Sequence, residues 1–212
     1  MKRMPVSMVV ELIALLLLGA TALYGAPDTA LRLDYVVVRE APDAQGRPAR
    51  TVVARTRFIA ADGRIRTEDR DANDPSRILS ISITNDARDE QISLNPGNKT
   101  AVRRRNVKHR ASAGIPVIDA NIPVRGDKED LGARTIQGFP CQGYRNTFAQ
   151  GMQSEHWFCV DPQTGRKFLG SMRAEQPGGS RWWQEDLQRV AGNVPVDSSL
   201  FEIPSDYRVV DE

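Results

Sequence analysis

Thr135-Ile-Gln-Gly-Phe-Pro-Cys141-Gln-Gly-Tyr-Arg-Asn-Thr-Phe148, followed by Glu155-His-Trp-Phe-Cys159-Val160, holds both cysteines of the 212-residue chain. The stretch reads as two antiparallel strands that turn near Gln150-Gly151. Setting Cys141 opposite Cys159 fixes every other pair. Gly143 then meets Trp157 and Arg145 meets Glu155, while Gln142 meets Phe158, Tyr144 meets His156 and Phe148 meets Met152. One register thus yields a disulfide, an ion pair and an aromatic ring covering a glycine, all sound cross-strand partners. Opposed residues at non-hydrogen-bonded positions approach closely enough for a disulfide. Closing a loop of this size stabilises a fold by about 3 kcal/mol when unstrained.

Working outward toward the N-terminus, Leu31, Leu33, Tyr35 and Val37 alternate with Arg32 and Asp34, the period of a half-buried strand. Val52, Ala54, Thr56 and Phe58 supply the next expected inward face, with Arg55 and Arg57 outward. Asp62-Gly63 is a strong hairpin signal. Arg64 to Arg70 returns as a strand with Ile65 and Thr67 expected inward. Leu79, Ile81 and Ile83 alternate with Ser80, Ser82 and Thr84. Turns at Asn85-Asp86 and Asn95-Pro-Gly-Asn98 separate two more short strands. Short strands with tight turns predict an antiparallel meander.

Residues 110–130 break that rhythm. Gly114, Pro116, Pro123 and Gly126 deny them a long helix, and they read as a crossing segment between two halves of one sheet. Past the cysteine hairpin, Asp161 to Gly165 is a turn and Phe168 to Met172 a strand. Pro177-Gly-Gly179 turns again before a long strand from Arg181 to Val190. Leu200-Phe-Glu-Ile-Pro204 is expected to pack a short turn on the sheet. The expected fold is mainly β, a curved antiparallel sheet or incomplete barrel with little helix.

The N-terminus points to export. Lys2 and Arg3 precede an apolar run at residues 12–18, and small residues end it at Ala20-Thr-Ala22 and Gly25-Ala26. That order is a secretory signal, with cleavage expected after Ala22 or Ala26; a retained membrane anchor is the rival reading. The expected organisation is residues 1–26 as signal peptide and 27–212 as one half-barrel domain, periplasmic or secreted. Removing the segment through Ala26 lowers Lys+Arg from 29 to 27 and Asp+Glu from 27 to 26, a formal charge of +1. So balanced a chain lacks the basic excess of a general nucleic-acid binder. Two cysteines in an exported chain read as a disulfide.

The second half resembles a known family. Leu131-Gly132, Ile136-Gln-Gly138-Phe-Pro-Cys141-Gln-Gly143-Tyr144-Arg145, Trp157 and Leu200-Phe-Glu-Ile-Pro-Ser-Asp-Tyr207 are similar to exported domains of the lipoprotein-carrier-like (outer-membrane lipoprotein-sorting) superfamily. The earlier Asn95-Pro-Gly-Asn-Lys99-Thr-Ala-Val102 fits the same likeness. The resemblance implies a curved antiparallel sheet that often encloses an apolar cavity. Its known carriers hold acyl chains, relatives sense envelope stress, and many members have no assigned role. It transfers no ligand-binding residue to a position of this chain.

Catalytic patterns are absent from the sequence. It has no Gly-x-Ser-x-Gly, His-Glu-x-x-His or phosphate-cradling glycine loop. His156 and Cys159, three apart on a strand, face opposite ways, which disfavours zinc held with Cys141 and His109. Asp127, Glu129 and Asp130 read as solvated loop acids. The expectation is a non-enzymatic envelope protein, without cofactor or metal, that binds an apolar or lipid-like ligand. Leu33, Tyr35, Phe58 and Ile81 are its candidate cavity residues. The alternative is an interaction or sensor module that contacts an anionic partner or another envelope protein through a basic edge at Arg103, Arg104 and Arg105. Of Trp182 and Trp183, alternation sends one ring inward and one outward.

Overall fold

The computed structural model describes residues 28–107, 127–148, 151–175 and 182–212. The expected signal segment, the greater part of the expected 110–130 crossing segment, His109 and the expected Pro177-Gly178-Gly179 turn lie outside them.

Two antiparallel meanders make one sheet. The first comprises β1 (Asp28–Pro42), β2 (Pro48–Ala60), β3 (Ile65–Asp71), β4 (Ile78–Asn85), β5 (Glu90–Asn95) and β6 (Thr100–Arg105). The second comprises β7 (Asp127–Ile136), β8 (Phe139–Thr147), β9 (Gln153–Val160), β10 (Lys167–Glu175) and β11 (Trp182–Val196). β12 (Arg208–Asp211) adds in parallel to β6. The order β12-β6-β5-β4-β3-β2-β1-β11-β10-β9-β8-β7 joins the meanders along β1 and β11 and leaves the sheet unclosed. The curved, mainly antiparallel half-barrel expected from the sequence is the fold found; β7 ends the sheet on one side and β12, next to β6, ends it on the other.

β1 pairs with β2 without a register shift, so its side chains alternate cleanly. Leu33, Tyr35, Val37 and Arg39 share one face with Val53, Arg55 and Arg57; Arg32, Asp34, Val36 and Val38 share the other with Ala54, Thr56 and Phe58. The core changes face across the sheet. Leu31, Leu33, Tyr35 and Leu187 are buried together on the Leu33 face. Across β3 to β6 the register places Ile81, Ile83, Ile92, Leu94 and Ala101 on the Arg32 face. There they pack with Phe201 of a short 3-10 helix, Ser198–Phe201, capped by Asp197.

This switch corrects three expectations. In β2 the buried residues are Val53, Arg55 and Ala60, while Val52 is 39% exposed. In β3 they are Arg66, Glu68 and Asp69, with Ile65 and Thr67 only half-buried. Leu79 is exposed, because β3 and β4 slip register between Asp69 and Arg70. A strand lying where the core changes sides is half-covered on both faces, so polarity alternation no longer marks the inside.

The cysteine hairpin has the expected register throughout, from Cys141↔Cys159 to Thr147↔Gln153. The disulfide is formed. Arg145 lies 2.6 Å from Glu155, and Phe148 donates its N–H to Met152 at 2.8 Å. The Trp157 ring fills the space over Gly143 so completely that a Cβ there would lie 2.6 Å from it. Gly170 plays a matching part in β10. Pairing with β11 begins only at Ser171↔Asp186, and a bulge separates Leu169 from Ser171. A Cβ on Gly170 would lie 2.3 Å from the Cys159 sulfur. On the far side of that bulge Cys141, Cys159 and Phe168 pack against Leu31, Leu33, Tyr35 and Leu187, and Phe139 meets Phe168 edge-on at 5.2 Å.

Candidate functional site

Strand pairing assembles a buried charge cluster on the Leu33 face. Arg55 sits opposite Tyr35 on one side and Asp69 on the other, and Glu185 opposes Val37 one pair further along β1. Arg55 grips Asp69 through Nε and Nη2 at 2.6 and 2.9 Å, and gives Nη1 to Glu185 at 2.7 Å. Arg57 approaches the second Glu185 oxygen at 2.9 Å and Arg39 approaches Asp69 at 3.5 Å. Glu185 is fully buried and Arg55 nearly so. Removing such charges from water is costly unless each is paired and hydrogen-bonded. The two-pronged Arg55 meets that condition for Asp69 and for one Glu185 oxygen, while the other, Oε1, has the Arg57 ion pair but no hydrogen bond among the described residues. Burial works against the Arg55 charge, but the bond to Asp69 and the nearby Glu185 carboxylate outweigh it and hold the guanidinium above its ordinary pKa.

Aromatic rings wall the cluster. The Trp183 ring lies 5.1 Å from the Arg39 guanidinium and 5.8 Å from that of Arg55, and the Tyr35 ring lies 5.0 Å from Arg57. Burial raises the Tyr35 pKa, against the pull of Arg57, so Tyr35 stays a phenol. Its hydroxyl donates to the Leu169 carbonyl at 2.8 Å and ties β1 to the disulfide corner.

The other face of the same strands carries an open cleft of about 390 Å³. Its lining includes Ala54, Thr56 and Phe58, with Arg32, Asp34 and Arg70 around them. Arg32 pairs with Asp34 at 3.0 Å, Thr56 donates to Asp34 at 2.8 Å, and Arg70 reaches Glu68 at 2.5 Å. The Phe58 ring lies 5.9 Å from Arg32. Val36 and Val52, on the same face, are exposed.

The four candidate cavity residues divide. Both Phe58 and Tyr35 border this cleft, but only Phe58 has its side chain on the cleft face; the Tyr35 ring is buried on the opposite one. Leu33 is packed in the first core cluster and Ile81 in the second. The arginines of the basic stretch have carboxylate neighbours. Arg103 and Arg105 lie 3.4 and 3.7 Å from Glu90, Arg103 lies 3.7 Å from Asp211, and Arg104 lies 2.8 Å from Glu212. Nor is β6 the edge of the sheet, because β12 covers it. Glu129 binds Arg145 at 2.9 Å, and Asp130 accepts from the Gly132 N–H and from Gln142. Both tryptophans of the Trp182-Trp183 pair are half-buried.

Sequence reading missed the charge cluster. Alternation places Arg55 and Arg57 outward because it ranks arginine as solvent-facing. Their partner Glu185 lies 130 residues from Arg55 along the chain, so no local pattern announces it.

No protein-family model matches this chain, and no curated protein does. Solved structures do. PNGF-II superposes with a TM-score of 0.50 at 8% identity, over 87% of this chain and 32% of its own. An uncharacterized conserved protein from Thermus thermophilus matches with a TM-score of 0.48 at 9% identity, over 84% and 90% of the two chains. A LolA superfamily protein from Nitrosomonas europaea matches at 0.39 and 9% identity, over 83% and 91%. At such identities the likeness is one of fold. Fold by itself does not specify activity.

Proposed function

We propose that this is a non-enzymatic, exported envelope protein that holds a lipid-like ligand on its half-barrel sheet. The observation that carries the reading is the 390 Å³ cleft on β1, β2 and β3, where Phe58 and Ala54 lie among arginines and an exposed valine patch adjoins them. Apolar lining with a few convergent charged groups is the usual make-up of a small-molecule site. The arrangement suits an amphiphile whose chain lies along Val36, Val52, Ala54 and Phe58 and whose anionic head meets Arg32 and Arg70. Binding would then draw each arginine partly away from Asp34 or Glu68, exchanging one charge-assisted bond for another.

The test is native mass spectrometry of the protein purified from cells that make it, set against the denatured spectrum. The expected result is a mass excess that vanishes on denaturation, extracts into organic solvent and is lost in an Ala54→Trp variant, whose indole fills the cleft. A clean apo mass from native cells would overturn the reading.

A further inference from the structure

The Leu33 face holds a second feature, on the side of the sheet opposite the β1–β3 cleft. Two adjacent cross-strand rows run over β8, β9, β10, β11 and β1. One is Asn146, Ser154, Ala174, Trp183 and Arg39; the other is Tyr144, His156, Met172, Glu185 and Val37. Asn146 is 1% exposed, yet neither its amide oxygen nor its amide nitrogen has a hydrogen-bond partner among the described residues. His156, 7% exposed, uses Nε2 on Ser154 Oγ at 2.8 Å and leaves Nδ1 without a partner among them. The buried Trp183 Nε1 lacks one as well.

Each buried polar group left unpaired costs about 1–3 kcal/mol, and native folds hold few of them. Five such atoms lie on these two rows; the fifth, Glu185 Oε1, makes no hydrogen bond among the described residues but lies 2.9 Å from the Arg57 guanidinium. The other four form a coherent set, and that set describes its complement. Asn146 offers an acceptor and a donor side by side, which an amide group answers with its own N–H and carbonyl. Trp183 adds a donor for a second carbonyl, and His156 Nδ1 gives or accepts according to its tautomer. None of these groups is charged: burial lowers the His156 pKa and keeps the ring neutral. The adjoining charges are met by one another: Arg55 pairs with Asp69 and with one Glu185 oxygen, and Arg57 lies 2.9 Å from the other. An ion placed beside Asn146 would lose its hydration without gaining a counter-charge. Between Asn146 and Trp183 the row carries only the small side chains Ser154 and Ala174. Three strand spacings separate its ends, about 14 Å, the reach of a ligand with two amide groups.

We infer that the Asn146–Ser154–His156–Trp183 face is a binding site for an uncharged, amide-bearing ligand of about dipeptide size. Asn146 pairs with one amide, Trp183 donates to a second carbonyl, and His156, steadied by Ser154, completes the set.

The full chain, labelled on its tryptophan indole nitrogens, is titrated with N-acetyl-alanyl-alaninamide and, in parallel, with the charged dipeptide alanyl-alanine. Trp183→Phe identifies the Trp183 resonance. The expected result is a saturable shift of that indole N–H with the blocked diamide and none with the charged dipeptide. Asn146→Leu should raise the Kd by about tenfold or more, the loss of one neutral hydrogen-bonded pair. It should also leave the urea midpoint unchanged or higher, since an apolar side chain of similar size removes two unpaired atoms. No saturable shift, or one that survives Asn146→Leu, overturns the inference. So does a fall in the Asn146→Leu urea midpoint, which would make Asn146 a structural residue bonded to buried water.

Discussion

The disulfide corner and the charge cluster hold the same sheet together by opposite means. In the corner, Cys141, Cys159, Phe139 and Phe168 pack apolar surface and close a short loop. In the cluster, Arg55, Arg57, Asp69 and Glu185 put full charges where water is excluded. Tyr35 links them, with its ring beside Arg57 and its hydroxyl on the Leu169 carbonyl. A covalent bond with apolar packing tolerates the loss of one contact, because what remains is still apolar. A buried ion cluster does not, because every partner removed leaves a charge stranded.

The largest effect should therefore follow from a change that removes no volume. Glu185→Gln keeps the shape of the side chain but leaves Arg57 and one prong of Arg55 without their carboxylate. Breaking a buried pair in this way costs about 3–5 kcal/mol, read as a fall in the urea midpoint at unchanged slope. A cost near that of a surface pair, about 1 kcal/mol or less, would show that water reaches the cluster and would collapse the contrast with the corner.

Next comes the disulfide. Its two cysteines are 18 residues apart, and opening a loop of that size should cost about 3 kcal/mol. Alkylation followed by mass spectrometry should label both cysteines only after reduction. Urea unfolding with and without reductant then measures the loss. Should reduction cost more than Glu185→Gln, the ranking of the two regions reverses.

What was legible in the sequence follows the same division. The hairpin could be read residue by residue because its partners are close along the chain and a single cysteine pair fixes all the others. The Asp62-Gly63 and Asp161–Gly165 turns were legible for the same reason: Asp62 and Asp161 each accept from a backbone N–H two residues on. The charge cluster was hidden by separation, since β11 returns to β1 only after the whole second meander. The core's change of face hid the rest. Where Arg55 is buried on one face and Thr56 is half-covered on the other, polar-out alternation has no outside to point to. Asn146 and His156 were placed in their correct register, but on a strand a buried Asn or His reads the same as an exposed one.

A smaller effect probes the seam between the two regions. Gly170 stands where β10 leaves β11, and a methyl group there would meet the Cys159 sulfur, held by its covalent partner, with the Ile136 Cδ1 at 3.0 Å. Gly170→Ala should cost about 1–3 kcal/mol as overpacking. Because the clash is with the disulfide, reduction should relieve part of it, so the combined loss should be less than the sum. Strict additivity would mean that the bulge, and not the sulfur, sets the need for glycine.

The smallest expected effect concerns pH and the residue between the regions. His156 lies on β9, opposite Met172, which is itself opposite Glu185, and burial lowers its pKa below the ordinary 6.5. At pH 8 the ring is neutral in both the folded and unfolded states and contributes nothing to the pH dependence. As pH falls through about 6.5, the unfolded chain takes up a proton that the folded ring still refuses, so stability must fall. Carboxylates begin to titrate lower, which makes the difference between native protein and His156→Gln the proper measure between pH 7.5 and about 5. The native urea midpoint should drop over that window while that of His156→Gln stays nearly level. A parallel response would mean that the folded ring binds its proton as readily as the unfolded one. The face around Asn146 would then be open to water, and the dry environment that makes both the charge cluster and its uncharged neighbours costly to leave unpaired would end at β11.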